Sequence, residues 1–228
     1  MSSGSEEAAT ELPPIEVLPP ADESIPPERT APERIGRYEL CFELAACGMA
    51  TVYLARVHGA SGFEKLVALK RIHRHLAKEQ KYIEMFLDEA KIASRITHPN
   101  VCSVFDFGQA DGEYYIAMEY LVGEPLSRLC GKVARDQSQR RHPMLPPRMG
   151  AIVADACEGL HAAHELKDVN GDSLHVVHRD VSPRNLFVTY DGSVQVVDFG
   201  IASARQRMHH TATGQVKGTF AYMAPEQL

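Results

Sequence analysis

The sequence predicts an α+β fold in which a small β-rich part with one helix precedes a helical part. Between residues 38 and 120, five runs of β-prone residues are separated by turn signals. Residues 80–96 interrupt these runs with apolar residues at helical spacing. After Gly123 the helical spacing takes over. Most of the strands and most of the helices are therefore expected in different parts of the chain.

The predicted strands of the first part cover residues 38–44, 51–57, 66–72, 101–107 and 113–120. The first two flank residues 45–50, which predicts a hairpin with a loop at its tip. Residues 109–112 predict the turn between the last two strands. The helix predicted at 80–96 has an apolar face made of Ile83, Phe86, Leu87, Ala90, Ala93 and Ile96.

The second part begins with a helix that Pro146 and Pro147 start, since proline is favoured in a first helical turn. Its apolar residues keep the helical period: Ile152, Val153, Ala156, Leu160 and Ala163. Residues 185–190 and 193–198 then predict a second hairpin around the two-residue turn Asp191-Gly192.

Charge and proline are concentrated at the start of the chain. Residues 1–34 hold eight acidic residues, two arginines and seven of the fourteen prolines, with no aromatic residue. Such a segment buries too little apolar area to offset the entropy of ordering, so we expect a disordered acidic tail. The remaining residues balance at 22 acidic against 22 basic. This balance of charge outside residues 1–34 argues against nucleic-acid binding, which usually needs a basic face.

The cysteine and hydropathy patterns favour a cytoplasmic protein. Five scattered cysteines form no CxxC pair, which argues against a zinc site and for a reducing compartment. No apolar run reaches the roughly 18 residues that span a bilayer, and no signal peptide precedes residue 34.

Three short motifs follow one another near the end of the sequence. His-Arg-Asp occupies residues 178–180 with Asn185 five positions after the aspartate, Asp-Phe-Gly occupies 198–200, and Ala-Pro-Glu occupies 224–226. This order and spacing are typical of protein kinases. Residues 106–108 are a second Asp-Phe-Gly, but no His-Arg-Asp precedes it and no Ala-Pro-Glu follows at the right distance. We interpret this second copy as the end of a strand.

With these motifs and the strings at 48–55 and 218–226, residues 38–228 resemble the eukaryotic-like (Hanks-type) serine/threonine protein kinases of bacteria. The resemblance implies a two-lobed fold with ATP in the cleft. Residues 35–121 would form the small lobe with the hinge, and residues 122–228 a partial helical lobe. Kinase domains of this family continue past Ala-Pro-Glu through several helices, so an incomplete second lobe is expected here.

The same resemblance assigns the catalytic roles. Lys70, in Val-Ala-Leu-Lys, would hold the ATP phosphates, and Glu89 would brace it. Asp88 competes for the bracing role but points about 100° away around the helix. Asp180 would accept or orient the proton of the attacking hydroxyl.

Metal and nucleotide contacts are also implied. Asn185 and Asp198 offer hard oxygen ligands suited to Mg²⁺. Met118 would be the gatekeeper before the hinge, and Ala68 and Leu186 would sandwich the adenine. The full set of expected nucleotide contacts is Leu44, Ala45, Cys47, Gly48, Val52, Ala68, Lys70, Met118, Glu119, Leu121 and Leu186.

Two departures from the family pattern bear on activity. The three glycine positions of the phosphate loop hold Ala45, Cys47 and Ala50, and side chains there keep the backbone farther from phosphates. We therefore expect weakened ATP binding. Ser182 replaces the lysine found two residues after the catalytic aspartate, which leaves Arg184 as the candidate cation for the γ-phosphate.

The resulting hypothesis is an ATP- and Mg²⁺-dependent kinase that phosphorylates protein serine and threonine hydroxyls. Arg179 implies control by phosphorylation, with another copy of the kinase acting on Thr211 or Thr213. The alternative is a catalytically impaired kinase that binds nucleotide or a partner without turnover.

Overall fold

The computed structural model describes residues 33–199, 220–223 and 225. The predicted tail up to residue 32 lies outside the described residues, as do Thr211 and Thr213. Gly200, Ala224 and Glu226, which complete two of the motifs, also lie outside them.

Six antiparallel strands form the first sheet: β1 (Arg34–Ile35), β2 (Tyr38–Cys47), β3 (Ala50–His58), β4 (Glu64–Ile72), β5 (Val104–Ala110) and β6 (Glu113–Glu119). Their order across the sheet is β1-β2-β3-β4-β6-β5. The turn predicted between the last two strands is confirmed. It closes through Asp111 and Gly112, whose φ angles of 53° and 80° suit a tight hairpin turn.

The first hairpin differs from its prediction at the tip. Residues 45–47 were expected in a loop but continue β2, with Ala45 opposite Val52 and Cys47 opposite Ala50. Only Gly48 and Met49 connect the strands. A residue with a β-carbon is at ease in extended backbone, so the alanines and the cysteine extend the ladder where glycines would not favour it.

The two faces of the first sheet carry separate apolar clusters because side chains alternate along each strand. One cluster contains Val67 and Leu69 of β4 and covers the outer face. The other contains Ile72 and Ile116 and packs against helix α1 (Gln80–Ala93), chiefly through Phe86. The helix predicted at 80–96 therefore ends three residues earlier, and Ile96 is buried just beyond it.

The second Asp-Phe-Gly lies in the middle of β5, so its interpretation as a strand end is wrong. Asp106 accepts hydrogen bonds from Arg37, from the Tyr38 hydroxyl at 2.8 Å and from the Tyr115 hydroxyl at 3.4 Å. Burial and the bond to Asp106 raise the pKa of Tyr38 to about 12. Through Asp106, the second Asp-Phe-Gly therefore links the start of β2 to β5 at the edge of the sheet.

The second part contains β7 (Gly123–Pro125), α2 (Leu126–Arg135), α3 (Gln137–Arg140), α4 (Leu145–His164), β8 (Leu186–Thr189) and β9 (Val194–Val196). β8 is the central strand of a three-stranded antiparallel sheet. The predicted helix with prolines in its first turn is confirmed as α4, and the predicted hairpin around Asp191-Gly192 as β8–β9.

A third apolar cluster, which we call the second core because it lies beyond the first sheet, joins the two parts. Buried residues of α4 and of the β8–β9 hairpin pack with Phe199, and Ala93 at the end of α1 belongs to the same cluster. Helix α1 therefore packs on the first sheet along most of its length and on the second core at its end. None of the helices in residues 33–199 is long and apolar enough to cross a membrane.

Helix α4 approaches the loop before β5 closely at Gly159. A β-carbon there would lie 2.4 Å from the carbonyl oxygen of Asn100, which already accepts the Val196 N–H at 2.8 Å. The Asn100 carbonyl is backbone and is held by its hydrogen bond to Val196, so it cannot shift without cost. The close approach of α4 to this loop therefore depends on glycine at position 159.

We predict that Gly159→Ala lowers the free energy of unfolding by about 2 kcal/mol, because the methyl group must displace the Asn100 backbone. Gly150→Ala in the same helix is the control, since a β-carbon there meets nothing within 4 Å. The control should be neutral or stabilising, as alanine favours helix. Urea denaturation of both variants checks this. Equal unfolding free energies would contradict it.

Candidate active site

A buried lysine bound to two carboxylates forms the centre of the candidate site. Lys70 Nζ donates to Glu89 Oε1 at 2.7 Å and to Asp198 Oδ1 at 2.8 Å. The lysine comes from β4, the glutamate from α1 and the aspartate from the segment after β9. Three distant parts of the sequence thus converge on one ammonium group.

The local structure explains why these side chains point to one place. Lys70 alternates with the outward residues Val67 and Leu69 and so faces α1. On α1, Glu89 is buried, whereas Asp88 is exposed and pairs with Lys91 at 3.3 Å. Of the two acidic candidates for the bracing role, Glu89 is the one that contacts the lysine.

The electrostatics favour an ionised cluster. Burial favours loss of the Lys70 proton, but the charges of Asp198 and Glu89 outweigh this effect and raise the pKa of Lys70 above its usual value. Lys70 in turn lowers the pKa of Asp198. Burial raises the pKa of Glu89, and the lysine opposes that shift. The side chain of Asp198 is 35% exposed against 6% for Lys70, so it is the member that faces solvent.

The loop between α4 and β8 holds a second acidic group in place. Asn185 Nδ2 donates to the Asp180 backbone oxygen at 2.8 Å and to Asp180 Oδ2 at 3.1 Å. The Val197 N–H donates to the Asn185 carbonyl at 3.0 Å, which brings this loop beside Asp198. Within the described residues, Asn185 Oδ1 accepts no hydrogen bond. That oxygen and the Asp198 carboxylate are hard donors of the kind that Mg²⁺ prefers, so the residues fit this ion.

His178 holds the backbone of this loop in place through two hydrogen bonds. It is buried, and its Nε2–H donates to the Val197 carbonyl at 3.2 Å while Nδ1 accepts the Asp180 N–H at 3.3 Å. This pattern requires the neutral imidazole. The ring also packs on Phe199 with centroids 4.8 Å apart. One histidine thereby couples the backbone near Asp180 to the segment that carries Asp198.

Unusual backbone conformations lie beside both acidic groups. Arg179 and Asp198 have φ angles of 63° and 54°, in the left-handed region that is costly for residues other than glycine. Such strain persists only where surrounding contacts hold it, and here both residues adjoin the hydrogen bonds of His178.

Several residues expected to contact nucleotide lie near this cluster. Ala68 and Leu186 are buried, and Val52 pairs with Lys70 across the β3–β4 ladder. Met118 lines a small cavity of about 20 Å³ together with Glu89 and Asp198. This cavity adjoins both carboxylates that bind the lysine, and most of its other lining side chains are apolar.

The segment expected to be the hinge follows β6. The Glu119 N–H donates to the Ser103 carbonyl at 2.9 Å, so it is already used. In residues 33–199, the backbone N–H and C=O of Leu121 make no hydrogen bond. These two groups are therefore open to a planar ligand at the edge of the cleft.

Other predicted site residues are not gathered at the cluster. Leu44, Ala45 and Gly48 are exposed along the β2–β3 hairpin, and Cys47 ends β2 opposite Ala50. Arg184 is exposed, and no hydrogen bond within the described residues joins it to the cluster.

Sequence reasoning missed two buried residues, of which the first lies beside the site. Cys102 lines the cavity, where burial raises the pKa of its thiol to about 12, and no sequence pattern marks it. Glu124 on β7 is buried and paired with Arg128 at 3.0 Å and Lys132 at 3.1 Å. Its signal was readable, because acidic and basic residues four apart at a helix start commonly pair.

The fold and this cluster define a protein kinase. The protein kinase domain model matches residues 44–228, and the chain belongs to this family. It is 45% identical over 215 residues to the tyrosine-protein kinase MasK of Myxococcus xanthus, covering 89% of this chain and 32% of MasK. It is 36% identical over 203 residues to the serine/threonine-protein kinase PknB of Mycobacterium leprae, covering 87% and 30%.

A solved structure of the Mycobacterium tuberculosis PknI kinase domain is similar as well. It has a TM-score of 0.57 and 29% identity, and the match covers 77% of this chain and 64% of that one. The expected kinase fold and the resemblance to bacterial eukaryotic-like kinases are confirmed. The chain spans about a third or less of the length of these curated relatives.

We predict that stability falls below neutral pH because of His178. Burial lowers its pKa, so the unfolded chain takes up a proton where the folded protein does not. The stability that the neutral His178 imidazole contributes is fully present above the pKa of about 6.5 that histidine has in the unfolded chain. It is lost as the pH falls towards the lower pKa of His178 in the folded protein. Urea denaturation at about pH 7.5 and about pH 5.5 measures the difference.

His178→Gln should reduce this pH difference, since glutamine takes up no proton in this range. His164→Gln, at an exposed position at the end of α4, is the control and should retain it. A pH difference that is the same in both variants would contradict the assignment to His178.

Proposed function

We propose that this kinase domain uses ATP and Mg²⁺ to transfer the γ-phosphoryl group to protein hydroxyls. The observation that carries the proposal is the buried contact of Lys70 with Glu89 and Asp198. Phosphoryl transfer asks a protein mainly for positioning and for neutralisation of charge. This cluster supplies a fixed cation beside a half-exposed carboxylate.

The lysine would bind the α- and β-phosphates of ATP, and Glu89 would keep its ammonium group aimed at them. Because Lys70 is already held by β4 and α1, little ordering remains when the nucleotide binds. Asp198 and Asn185 would hold Mg²⁺, which when bound neutralises phosphate charge and orients the γ-phosphoryl group.

Asp180 would accept the proton of the attacking hydroxyl. Asn185 fixes the carboxylate with a hydrogen bond of 3.1 Å to Oδ2, which sets the direction in which the acceptor must approach. Hinge groups at Leu121 would bind the adenine between Ala68 and Leu186. Arg184, exposed on the same loop, would reach the γ-phosphate.

Serine and threonine are the acceptors we favour, because the string at 218–226 resembles that of serine/threonine kinases and PknB carries that name. Tyrosine is the second candidate. MasK, at 45% identity, is named a tyrosine-protein kinase. Ser182 also stands where a serine/threonine kinase would have a lysine two residues after the catalytic aspartate, which leaves Arg184 as the candidate cation.

Further parts of the proposal concern regulation and location. Another copy of the kinase would phosphorylate Thr211 or Thr213, and Arg179 would pair with the phosphate. The protein would act in the cytoplasm, with residues 35–121 and 122–228 as its two lobes and residues 1–34 as an acidic tail.

The second candidate function is binding of nucleotide or of a partner protein without phosphoryl transfer. Ala45 and Cys47 lie in the β2–β3 ladder, so their backbone hydrogen bonds pair with β3 and not with phosphates. A phosphate loop held this way grips ATP less well than a loop of glycines.

We predict that Asp198→Asn lowers phosphorylation of protein substrate at least about a hundredfold, since the metal loses its charged ligand. Asp111→Asn is a matched control, because both aspartates have φ near 54° and asparagine tolerates that conformation. Transfer of radiolabelled γ-phosphate measures the rates, and analysis of the phosphorylated amino acid identifies the acceptor.

Equal rates in the two variants would sink the catalytic proposal. No transfer by folded wild-type protein, together with thermal stabilisation by ATP and Mg²⁺, would support the binding function instead. Phosphotyrosine as the product would replace the serine/threonine assignment and leave the reaction type intact.

We also predict that Glu89→Gln lowers kcat/KM for ATP by roughly tenfold to a hundredfold, because Lys70 loses the charge that aims it. Asp88→Asn, one position away and exposed, should leave kcat/KM unchanged. The steady-state rates at varied ATP concentration separate them. A larger loss from Asp88→Asn would show that the wrong carboxylate has been assigned.

A further inference from the structure

Helix α2 and the segment after it carry a basic face. Arg128, Lys132 and Arg135 are spaced four and three residues apart, so they lie on one side of the helix, and all three are exposed. Arg140 and Arg141 follow at the end of α3 and are also exposed. We call these five side chains the basic face.

The carboxylates near the basic face are already engaged. Glu124 binds Arg128 and Lys132, and Asp136 accepts the Ser138 N–H at 2.9 Å at the start of α3. Over residues 33–199, Arg135, Arg140 and Arg141 form no ion pair. Three guanidinium groups therefore remain available to an anionic partner.

The basic face begins at the catalytic loop. The Ser127 N–H, one residue before Arg128, donates to the Pro183 carbonyl at 2.8 Å. Pro183 lies between Asp180 and Asn185, and the neighbouring Arg184 is exposed. An acceptor hydroxyl that reaches Asp180 thus brings its flanking residues near the start of α2.

The far end of the basic face has a recess. Gln137, Arg140 and Arg141 line a space of about 210 Å³. Guanidinium groups bind carboxylates through two parallel hydrogen bonds, and an amide adds another donor. The recess therefore suits an acidic side chain.

We propose that the basic face binds an acidic segment of the acceptor protein, rich in aspartate or glutamate, and so favours hydroxyls flanked by carboxylates. This inference deepens the proposed function and rests on it for the transfer step. A protein segment fits better than an anionic membrane, because the basic face starts at the loop that must receive an acceptor hydroxyl. The surface then selects the substrate by charge.

The test uses two fluorescent synthetic peptides, one with a single serine among glutamates and a twin with glutamine in place of each glutamate. Fluorescence anisotropy measures binding, and phosphate transfer is measured separately. Arg135→Glu combined with Arg140→Glu should weaken binding of the glutamate peptide about tenfold or more. Lys78→Glu with Arg95→Glu gives the same charge change at exposed positions off the basic face and should leave binding intact.

The outcomes separate this inference from the proposed function. Phosphorylation of both peptides with equal kcat/KM would overturn the charge preference while the kinase activity stands. Binding of the glutamate peptide that depends on Arg135 and Arg140, without any transfer to its serine, would support the surface and overturn serine as the acceptor in the proposed function. Equal weakening by both double variants, or binding to phosphatidylserine vesicles but to neither peptide, would overturn the surface.

Discussion

The ion pair between Lys70 and Glu89 is the interaction on which the site depends. An ammonium group buried to this extent is costly unless it is paired, and the cost falls when more than one carboxylate contacts it. The pair can form only if α1 packs on the first sheet with Glu89 turned inward. Burial of Phe86 on the same helix enforces that orientation. The packing of the first part of the chain and the ion pair in the cleft therefore both require the same orientation of α1.

The second core transmits this constraint to the catalytic loop. Phe199 is buried in the same cluster as Ala93 of α1, and its ring packs against His178 at an interplanar angle of 43°. His178 binds the backbone of Val197 and Asp180, and Asn185 binds both Asp180 and, through its carbonyl, Val197. A shift of α1 would therefore disturb the support of both acidic groups, which explains why strained backbone is tolerated at Asp198.

The sequence was most informative where chemistry demands particular residues. Lys70 and Asp198 are 128 positions apart. Only the resemblance to kinases assigned both to one site, because no local pattern could. Apolar periodicity located α1 and α4 because burial follows helical period. It failed at the β2–β3 tip, where alanine and cysteine replace glycine and a ladder forms in place of a loop. The strand predicted at 101–107 also ended too early, since residues 106–108 lie inside β5, where Asp106 accepts hydrogen bonds from two tyrosine hydroxyls.

The charges of the cleft also suggest how ATP would enter a site whose phosphate loop is altered. Lys70 is shared between a buried carboxylate and one that faces solvent. Under the proposed function, Asp198 would hold the metal and Lys70 the phosphate oxygens, so each group would exchange one ionic partner for another and neither would be left buried and unpaired. Glu89 would keep its bond to Lys70. Because these contacts would form at the lysine and at the loop that carries Asn185, they would not require glycines at the β2–β3 tip. The tip would then affect how tightly phosphates are held, while the cluster would decide whether transfer can occur.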